Sequence, residues 1–265
     1  MRFELMEGLM LKDGQPVQVE DKTANESVLQ IEINNVPFTI TMRTPGEDEA
    51  LIRGLLFNED IYTSKGPLRI IFEEKNKITR IARIKIAPDF LGSGYLNNRS
   101  LLSVTACGIC GKKELDLESD YKNSIKDDFS LDAQTVQFLF ECMSEDQLLF
   151  NHTGGVHAAT VFDSDGKKII THEDIGRHNA VDKVIGTLLI NNKLSDAKVM
   201  TVSGRISFEI VAKTFRAGIP VLASVSAPSS LAISYCKQLG ITLLAFCREG
   251  KFTCYAHPNR LIIHP

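Results

Sequence analysis

The sequence predicts a layered α/β protein whose amino-terminal part is mainly β. From Val156 onward, apolar stretches of strand length alternate with amphipathic stretches of helical length, and this alternation is typical of helices packed against a sheet. Earlier in the chain, apolar and polar residues alternate with the period of half-buried strands, as over Val28–Asn34. We therefore expect a mainly β part over residues 1–125 and an α/β domain over residues 126–265.

The amino-terminal part is predicted to contain two pairs of strands and one helix. Residues 1–18 show little beyond a polar turn at 13–16. Thr44 or Asp48 is expected to cap the helix, because short polar side chains accept hydrogen bonds from the first helical N–H groups. The predicted strands span 26–34, 38–42, 70–72 and 78–86, and the apolar face of the helix is Leu51, Leu55, Leu56 and Ile61.

The carboxyl-terminal domain is predicted to begin with one long helix and to continue with strands that alternate with helices. When parallel strands are separated by helices, the turns that follow them gather at one edge of the sheet. The predicted helices span 131–149, 179–191, 208–215 and 229–239, and the predicted strands span 156–162, 168–172, 198–202, 219–224, 241–247 and 252–256.

Length, charge and hydropathy limit the possible functions. The chain has 265 residues, of which 43% are hydrophobic, and this is enough for a sizeable core. A net charge of −3 argues against nucleic-acid binding driven by bulk charge. No apolar run is long enough to span a bilayer, and residues 1–12 lack the pattern of a leader. We therefore expect a soluble, cytoplasmic protein with neither a nucleic-acid nor a membrane partner.

The segment Ser103–Lys113 has the composition of a reactive thiol site. Cys107 and Cys110 stand among glycines and are followed at once by two lysines. Small neighbours leave sulfur uncovered, and nearby ammonium groups favour the thiolate, which is the nucleophilic form. Because residues 88–124 show little periodicity, we expect this pair to lie on a mobile loop. The other four cysteines stand singly in apolar or mixed segments and are expected to be small buried hydrophobes: Cys142, Cys236, Cys247 and Cys254.

Three familiar interpretations of a Cys-x-x-Cys pair do not suit this one. A structural zinc site needs four ligands, and the chain has no second close pair. A thioredoxin-like site needs an apolar helix after the pair, which the charged residues 112–116 do not support. A zinc deaminase needs His-x-Glu upstream and Pro before the first cysteine, and here Ala106 stands there. With these three interpretations set aside, the residues favour thiol chemistry, in which a cysteine sulfur accepts a group and delivers it to an acceptor.

Several segments rich in glycine, basic or hydroxyl side chains lie beside predicted strands and helix starts, and the last three of them follow strands that are expected to be parallel. A helix amino terminus offers unpaired N–H groups and partial positive charge, which suit phosphate. The alternative is that Asp174 or Asn179 is an ordinary helix cap and that 246–251 is only a solvated hairpin tip. Taken together, the turns indicate a nucleotide or another multiply phosphorylated ligand. They are 151–157, 171–180 with Arg177 and His178, Ser203-Gly204-Arg205, 226–230 and Phe246-Cys247-Arg248-Glu249-Gly250-Lys251.

These motifs resemble the formate dehydrogenase accessory sulfurtransferase family, FdhD, over residues 31–258. The longest matching block is Glu173–Lys183. The other matching motifs are 42–46, 107–112, 154–159, 203–205 and 227–230. The resemblance implies a cytidine deaminase-like layered fold without the zinc chemistry, and a homodimer.

The resemblance also implies a function. Family members take sulfur from a cysteine desulfurase as a persulfide. They deliver it to molybdenum or tungsten bis-molybdopterin guanine dinucleotide, the cofactor of formate dehydrogenase. By this likeness Cys107 is the persulfide carrier and Cys110 assists, either by expelling the sulfur or by aiding its transfer. The family's cofactor-binding stretch corresponds to residues 246–251, with Arg248 and Lys251 as phosphate partners.

The residues themselves add five cofactor-binding candidates, and two other functions remain open. The added candidates are Arg177, His178, Ser203, Gly204 and Arg205. We expect guanosine diphosphate (GDP) to bind as a mimic of one cofactor arm. The alternative to a transferase is a non-catalytic chaperone that escorts the dinucleotide to apo-formate dehydrogenase. A redox regulator would instead form a reversible Cys107–Cys110 disulfide.

Overall fold

The protein begins with a long β-hairpin whose strands sequence reasoning missed. The computed structural model describes residues 2–64, 66–96 and 124–264. Strands β1 (Phe3–Lys12) and β2 (Gln15–Ala24) pair antiparallel across a turn at Asp13 and Gly14, whose φ values are 52° and 78°. Two positive φ values suit the tightest hairpin turns. The turn was predicted but the strands were not, because neither face of this hairpin is buried and no alternation marks them.

A four-stranded sheet covered by one helix follows. Its order is β4-β3-β6-β5, and α1 packs on its buried face, where Leu29, Ile31 and Ile33 are fully buried. The predicted strands are confirmed, but the predicted cap is wrong, since Glu47 precedes the helix with φ 56° and no side chain caps it. The elements are β3 (Ser27–Ile33), β4 (Val36–Arg43), α1 (Asp48–Asn58), β5 (Ile70–Glu74) and β6 (Thr79–Ile84).

The predicted helix over 131–149 is wrong as a single element. The structure has three elements there: the short strand β7 (Leu131–Asp132), α3 (Thr135–Asp146) and α4 (Leu148–Thr153). Earlier in the chain, α2 (Ser93–Leu96) is a single helical turn. The break falls at Gln147, whose ψ of 54° is not helical. The break also lets the first N–H groups of α4 reach the carboxylate of Glu173, at 2.9 Å from Leu149 and 2.8 Å from Phe150.

A six-stranded sheet organises the carboxyl-terminal part. Its order is β13-β12-β11-β10-β8-β9, in which β10, β11 and β12 are parallel and the other pairings are antiparallel. The predicted alternation of strands and helices is therefore confirmed. The helices and strands of this part are β8 (His157–Phe162), β9 (Lys168–Asp174), α5 (Arg177–Ile190), β10 (Val199–Val202), α6 (Phe208–Arg216), β11 (Val221–Ser224), α7 (Ser230–Leu239), β12 (Thr242–Arg248) and β13 (Lys251–Ala256). The last strand, β14 (Leu261–Ile262), lies outside this sheet and pairs with β7.

Helices cover both faces of this sheet. On β10, Met200 and Val202 face α5, α6 and α7, whereas Val199 packs with the residues of α3 on the opposite face. Successive side chains of a strand point to opposite faces, so a strand buried on both sides is apolar throughout rather than alternating. This explains why β10 and β11 are mostly apolar, with Thr201 and Ser224 as their polar residues, and it gives a helix–sheet–helix arrangement.

The two sheets are joined by a close crossing of α1 and α5. Gly54 on α1 lies against the carbonyl of Asp182, and Gly186 on α5 lies against the carbonyl of Ala50. A Cβ atom at either glycine would overlap backbone, so neither position has room for a side chain. The missing side chains therefore set the distance between the two helices.

Replacing Gly186 by alanine is expected to lower the free energy of unfolding by about 3 kcal/mol, because backbone rather than a flexible side chain must move. The measurement is urea unfolding followed by circular dichroism. Gly8→Ala is the matched control, since a Cβ there would meet Val19 at an ordinary 3.6 Å. Equal stability of the two variants would show that the helices separate without cost.

Several predictions are not decided by this fold. The structure is a mixed α/β protein, as expected, whereas a cytidine deaminase-like layering and a boundary at 125/126 stay predictions. Cys107 and Cys110 lie outside the described residues, as does most of the expected loop. Among the described helices, none is long and apolar enough to cross a membrane.

Candidate functional site

Several of the segments identified from sequence meet at one edge of the six-stranded sheet. Strands β10, β11 and β12 are parallel neighbours, so the turns at 203–205 and 226–228 and the last residues of β12, 246–248, lie at the same end of the three strands. His157 pairs with Asp174 across β8 and β9, which brings the start of β8 and the start of α5 to this edge as well. The binding-edge geometry predicted from the order of strands and turns is therefore present.

Hydrogen bonds connect the three parallel strand ends. The hydroxyl of Ser224 donates to the carbonyl of Gly204 at 2.7 Å and accepts the N–H of Ser226 at 2.9 Å. The N–H of Phe246 then donates to the carbonyl of Ser226 at 3.2 Å. These bonds hold the 203–205 turn and the start of the 246–251 segment in a fixed relation.

The backbone is unusual at Phe246. Its φ is 55°, and the ladder between β12 and β13 shifts register between Ala245 and Arg248. A positive φ is rare for a bulky residue and persists only where the surroundings hold it, most often at binding sites. The half-buried Phe246 ring lies 6.5 Å from that of Tyr255. The bulge therefore places an aromatic side chain at the sheet edge.

Gly204 separates two basic side chains. A Cβ atom at Gly204 would lie 3.3 Å from both the Arg177 stem and His157 Nδ1, so these two side chains flank the same glycine. Arg205 follows and is exposed, whereas Ser203 is half-buried and its hydroxyl accepts the N–H of Ala158 at 2.9 Å. The structure thus brings together Arg177, Ser203, Gly204 and Arg205, all predicted from sequence.

The turn into α5 is organised by a fully buried carboxylate. Asp174 Oδ1 accepts the N–H of Gly176 at 2.8 Å and the side-chain amide of Asn179 at 2.9 Å. Its Oδ2 accepts the N–H of Thr44 at 3.2 Å and pairs with Lys183 Nζ at 2.7 Å. Asp174 therefore fixes the turn before α5 but does not cap the helix, and Gly176 occupies the cap position without a side-chain bond.

His178 is held by a carboxylate of the next helix. Its Nε2 lies 3.0 Å from Glu209 Oε2, which also accepts the hydroxyl of Ser207 at 2.8 Å. The bond from His178 lowers the pKa of Glu209 to about 2, against the opposing effect of burial. Glu209 is therefore an anion at neutral pH, and it holds His178 in place within the basic surroundings of Arg177 and Arg205.

The end of the 246–251 segment lies apart from these side chains. Arg248, Glu249 and Lys251 are exposed on the β12–β13 turn, and Lys251 pairs with Glu249 at 3.4 Å. Gly250 approaches Gln137 of α3, on the opposite face from α5. In the described part of the chain, no hydrogen bond or ion pair joins this turn to Arg177 or Arg205.

The described cysteines have no features of a sulfur-carrying thiol. Burial raises the pKa of Cys236 and of Cys247 to about 12, and it also raises the pKa of Cys142 and Cys254. Thiols in such surroundings stay protonated at neutral pH and are poor nucleophiles. Cys247, a cofactor-site candidate, packs in the core on the α3 side of the sheet. Within the described ranges, no cluster of three or more His, Cys, Asp or Glu side chains could hold a metal ion.

Some residues of the edge were missed from sequence. Glu209 and Ser207 carried no signal of their own, because a polar residue in the first turn of a helix is common. Thr44 was considered only as a cap, yet its hydroxyl accepts the N–H of Ile175 at 3.1 Å and its carbonyl accepts Lys183 Nζ at 3.0 Å. His157 lies in the segment 151–157, for which the sequence predicts no separate role of this residue.

An α/β sheet edge with a glycine turn, basic side chains and an uncapped helix start is the arrangement that binds anionic and nucleotide ligands in open sheets. A sequence profile of the FdhD/NarQ family matches residues 24–262. The chain therefore belongs to the FdhD/NarQ family.

Individual relatives cover nearly the whole chain. "Sulfur carrier protein FdhD" of Sulfolobus acidocaldarius is 38% identical over 256 residues, which are 95% of each chain. The protein of the same name from Thermoplasma acidophilum is 40% identical over 254 residues, 93% of this chain and 89% of the relative. A crystal structure of a candidate formate dehydrogenase accessory protein from Desulfotalea psychrophila has the same fold. Its TM-score is 0.77 at 21% identity, with 99% of this chain and 100% of that chain covered.

Proposed function

We propose that this protein is a sulfurtransferase for the maturation of formate dehydrogenase. In this proposal it accepts sulfur from a cysteine desulfurase on Cys107. It then delivers the sulfur to the molybdenum or tungsten bis-molybdopterin guanine dinucleotide cofactor. Membership of the FdhD/NarQ family and the relatives named as sulfur carriers support the carrier role. The single observation that supports cofactor binding is the edge where Arg177, Gly204 and Arg205 meet.

The loading step is an exchange between two sulfur–sulfur bonds. The thiolate of Cys107 attacks the outer sulfur of the desulfurase persulfide, and a new bond forms to Cys107 Sγ. The old bond breaks, and its electron pair leaves with the desulfurase cysteine, so no oxidant is consumed. Lys112 and Lys113 favour the attacking thiolate by their charge.

The delivery step assigns a function to Cys110. Its thiolate attacks Cys107 Sγ, a disulfide forms between the two residues, and hydrosulfide leaves. The hydrosulfide then replaces a ligand of the bound cofactor's metal, and a cellular dithiol reduces the disulfide for the next cycle. Within the described residues the other cysteines are poor candidates, because burial raises their pKa.

Mass spectrometry tests the loading step directly. The protein is incubated with an active cysteine desulfurase and cysteine, and its intact mass is measured before peptide mapping. We expect a gain of one or more sulfur atoms on the peptide that contains Cys107, removed by reductant. A protein that stays unmodified beside a desulfurase that loads another acceptor would contradict the carrier role and favour a cofactor escort.

Arg248→Ala is expected to weaken GDP binding about tenfold, the effect of losing one charge-assisted hydrogen bond to phosphate. The reason is the likeness to the family, whose cofactor-binding stretch corresponds to residues 246–251, and Arg248 is exposed at the end of β12. Isothermal titration calorimetry measures the affinity. Arg216→Met, at the far end of α6, is the matched control. An unchanged affinity in Arg248→Ala would remove this residue from the site.

A further inference from the structure

His157 occupies an unusual place at the binding edge. It is the first residue of β8 and lies half-buried beside the 203–204 turn. Its Nδ1 is 3.5 Å from the hydroxyl of Ser203, and that oxygen already accepts the N–H of Ala158. The Ser203 hydroxyl is therefore free to donate to Nδ1, which suits a neutral ring with its hydrogen on Nε2.

The charges around His157 are mostly positive. Burial lowers the pKa of His157 from its usual 6.5, and the charges of Arg177, His178 and Arg205 lower it further, while Asp174 opposes them. Of the carboxylates in the described part of the chain, Asp174 and Glu209 lie nearby, but both are engaged elsewhere. Asp174 is paired with Lys183, and Glu209 is bonded to His178. The edge thus places a neutral histidine beside Arg177 and Arg205, for which no ion pair is found among the described residues.

Arg177 has a hydrogen-bond donor that the described residues do not pair. Its Nε is fully buried and has no hydrogen-bond partner among the described residues. A buried donor without an acceptor costs free energy, so such a group usually marks the place of a ligand or water. The first turn of α5 also has no side-chain cap. Charged acceptor oxygens beside Gly204 would face the Arg177 side chain and the uncapped first turn of α5, and they would offset the positive charge that faces His157.

We propose that the diphosphate of a nucleotide ligand binds between Arg177, Arg205 and His157, and that His157 takes up one proton from solvent when it binds. The proton enters at Nδ1, the Ser203 hydroxyl turns to accept it, and the Nε2–H group donates to a phosphate oxygen. The imidazolium then becomes a third cationic partner of the diphosphate. This inference rests on the proposed function, because it assigns the diphosphate part of the guanine dinucleotide to this edge.

The direction of the pH dependence follows from the charges. An anion beside His157 cancels the repulsion from Arg177, His178 and Arg205 and raises the pKa of the ring on binding. Binding therefore takes up protons between the pKa values of the free and the bound protein. Affinity should rise as the pH falls from about 8 to about 6, through the ordinary range of histidine.

Calorimetry in buffers of different ionisation enthalpy tests the proposal, with GDP-mannose as the probe. Its diphosphate is linked at both ends and has no proton that titrates near neutrality, so any proton uptake belongs to the protein. We expect net uptake with GDP-mannose at about pH 6.5 and none with guanosine, which lacks the diphosphate. His157→Gln should abolish the uptake, whereas His264→Gln, at an exposed histidine paired with Asp132, should leave it unchanged.

Two substitutions locate the diphosphate. Arg177→Met and Arg205→Met should each weaken GDP-mannose binding about tenfold while leaving guanosine binding unchanged. Binding of GDP-mannose without proton uptake, or with uptake that persists in His157→Gln, would overturn this inference and leave the proposed function intact. Failure of GDP-mannose to bind at all would overturn both the inference and the cofactor part of the proposed function.

Discussion

Replacement of Cys107 by alanine is expected to abolish the maturation of formate dehydrogenase, with residual activity below about one per cent. In the proposed mechanism the thiolate of Cys107 is the nucleophile of the loading step, and no other group can take its place without a low pKa and access to the donor. Formate dehydrogenase activity in cells that produce only this variant measures the effect. GDP binding should be unchanged, because the proposed diphosphate site consists of His157, Arg177 and Arg205 and does not include Cys107.

Two further variants make this result specific. Cys142→Ala removes a half-buried thiol whose pKa is raised by burial, and it should leave maturation unchanged. Cys110→Ala should retain the sulfur on Cys107 but slow its release, so that persulfide accumulates. Full maturation by Cys107→Ala with normal GDP binding would instead indicate a chaperone that only escorts the cofactor. Reversible oxidation of the pair to a disulfide, without sulfur gain, would indicate a redox regulator.

Lys183→Met is expected to lower the free energy of unfolding by about 3–5 kcal/mol. Lys183 and Asp174 are both fully buried, and their charged atoms are 2.7 Å apart. Removal of the ammonium group leaves a buried carboxylate without its cation, and the carbonyl of Thr44 loses its donor at 3.0 Å. Guanidinium unfolding measures the stability, and GDP affinity should fall as well, because Asp174 orders the turn before Arg177.

Two other variants show how much of the stability lost in Lys183→Met comes from the unpaired charge of Asp174 and how much from lost packing. Lys198→Met breaks a half-exposed pair with Asp127, and it should cost no more than about 1 kcal/mol. The double variant Asp174→Asn with Lys183→Met removes both charges, and it should recover part of the loss seen in Lys183→Met alone. If Lys183→Met were as stable as Lys198→Met, the buried pair would have no part in holding the edge.

The periodicity of apolar residues along the chain predicted the individual strands and helices. The alternation of Leu29, Ile31 and Ile33 with polar neighbours identified β3, and the period of Val181, Val184, Ile185 and Leu188 identified α5. The turns after three parallel strands predicted a common edge, because strand direction alone decides where such turns lie. Arg177, Gly204 and Arg205 meet there as expected.

What sequence could not predict depends on contacts between distant residues. Thr44 lies 130 positions from Asp174, and nothing local to either residue shows that they bond. The same holds for Gly54 and Gly186, which look like weak points of helices until their helices are seen to cross. The sequence did not predict the break at Gln147, because the residues around it have ordinary helical propensity. A new helix begins there because the carboxylate of Glu173, which is distant in sequence, accepts the N–H groups of Leu149 and Phe150.

The bonds of Thr44 have a consequence for how the chain unfolds. The end of β4 is attached to β9 and α5 through Asp174 and Lys183, and the glycine crossing of α1 and α5 adds a second attachment. Opening the amino-terminal sheet would expose that buried ion pair to solvent, so the two parts gain stability from each other. Heat should therefore melt them in one cooperative transition. A fragment consisting of residues 126–264 would expose the crossing face of α5 and would be prone to aggregate.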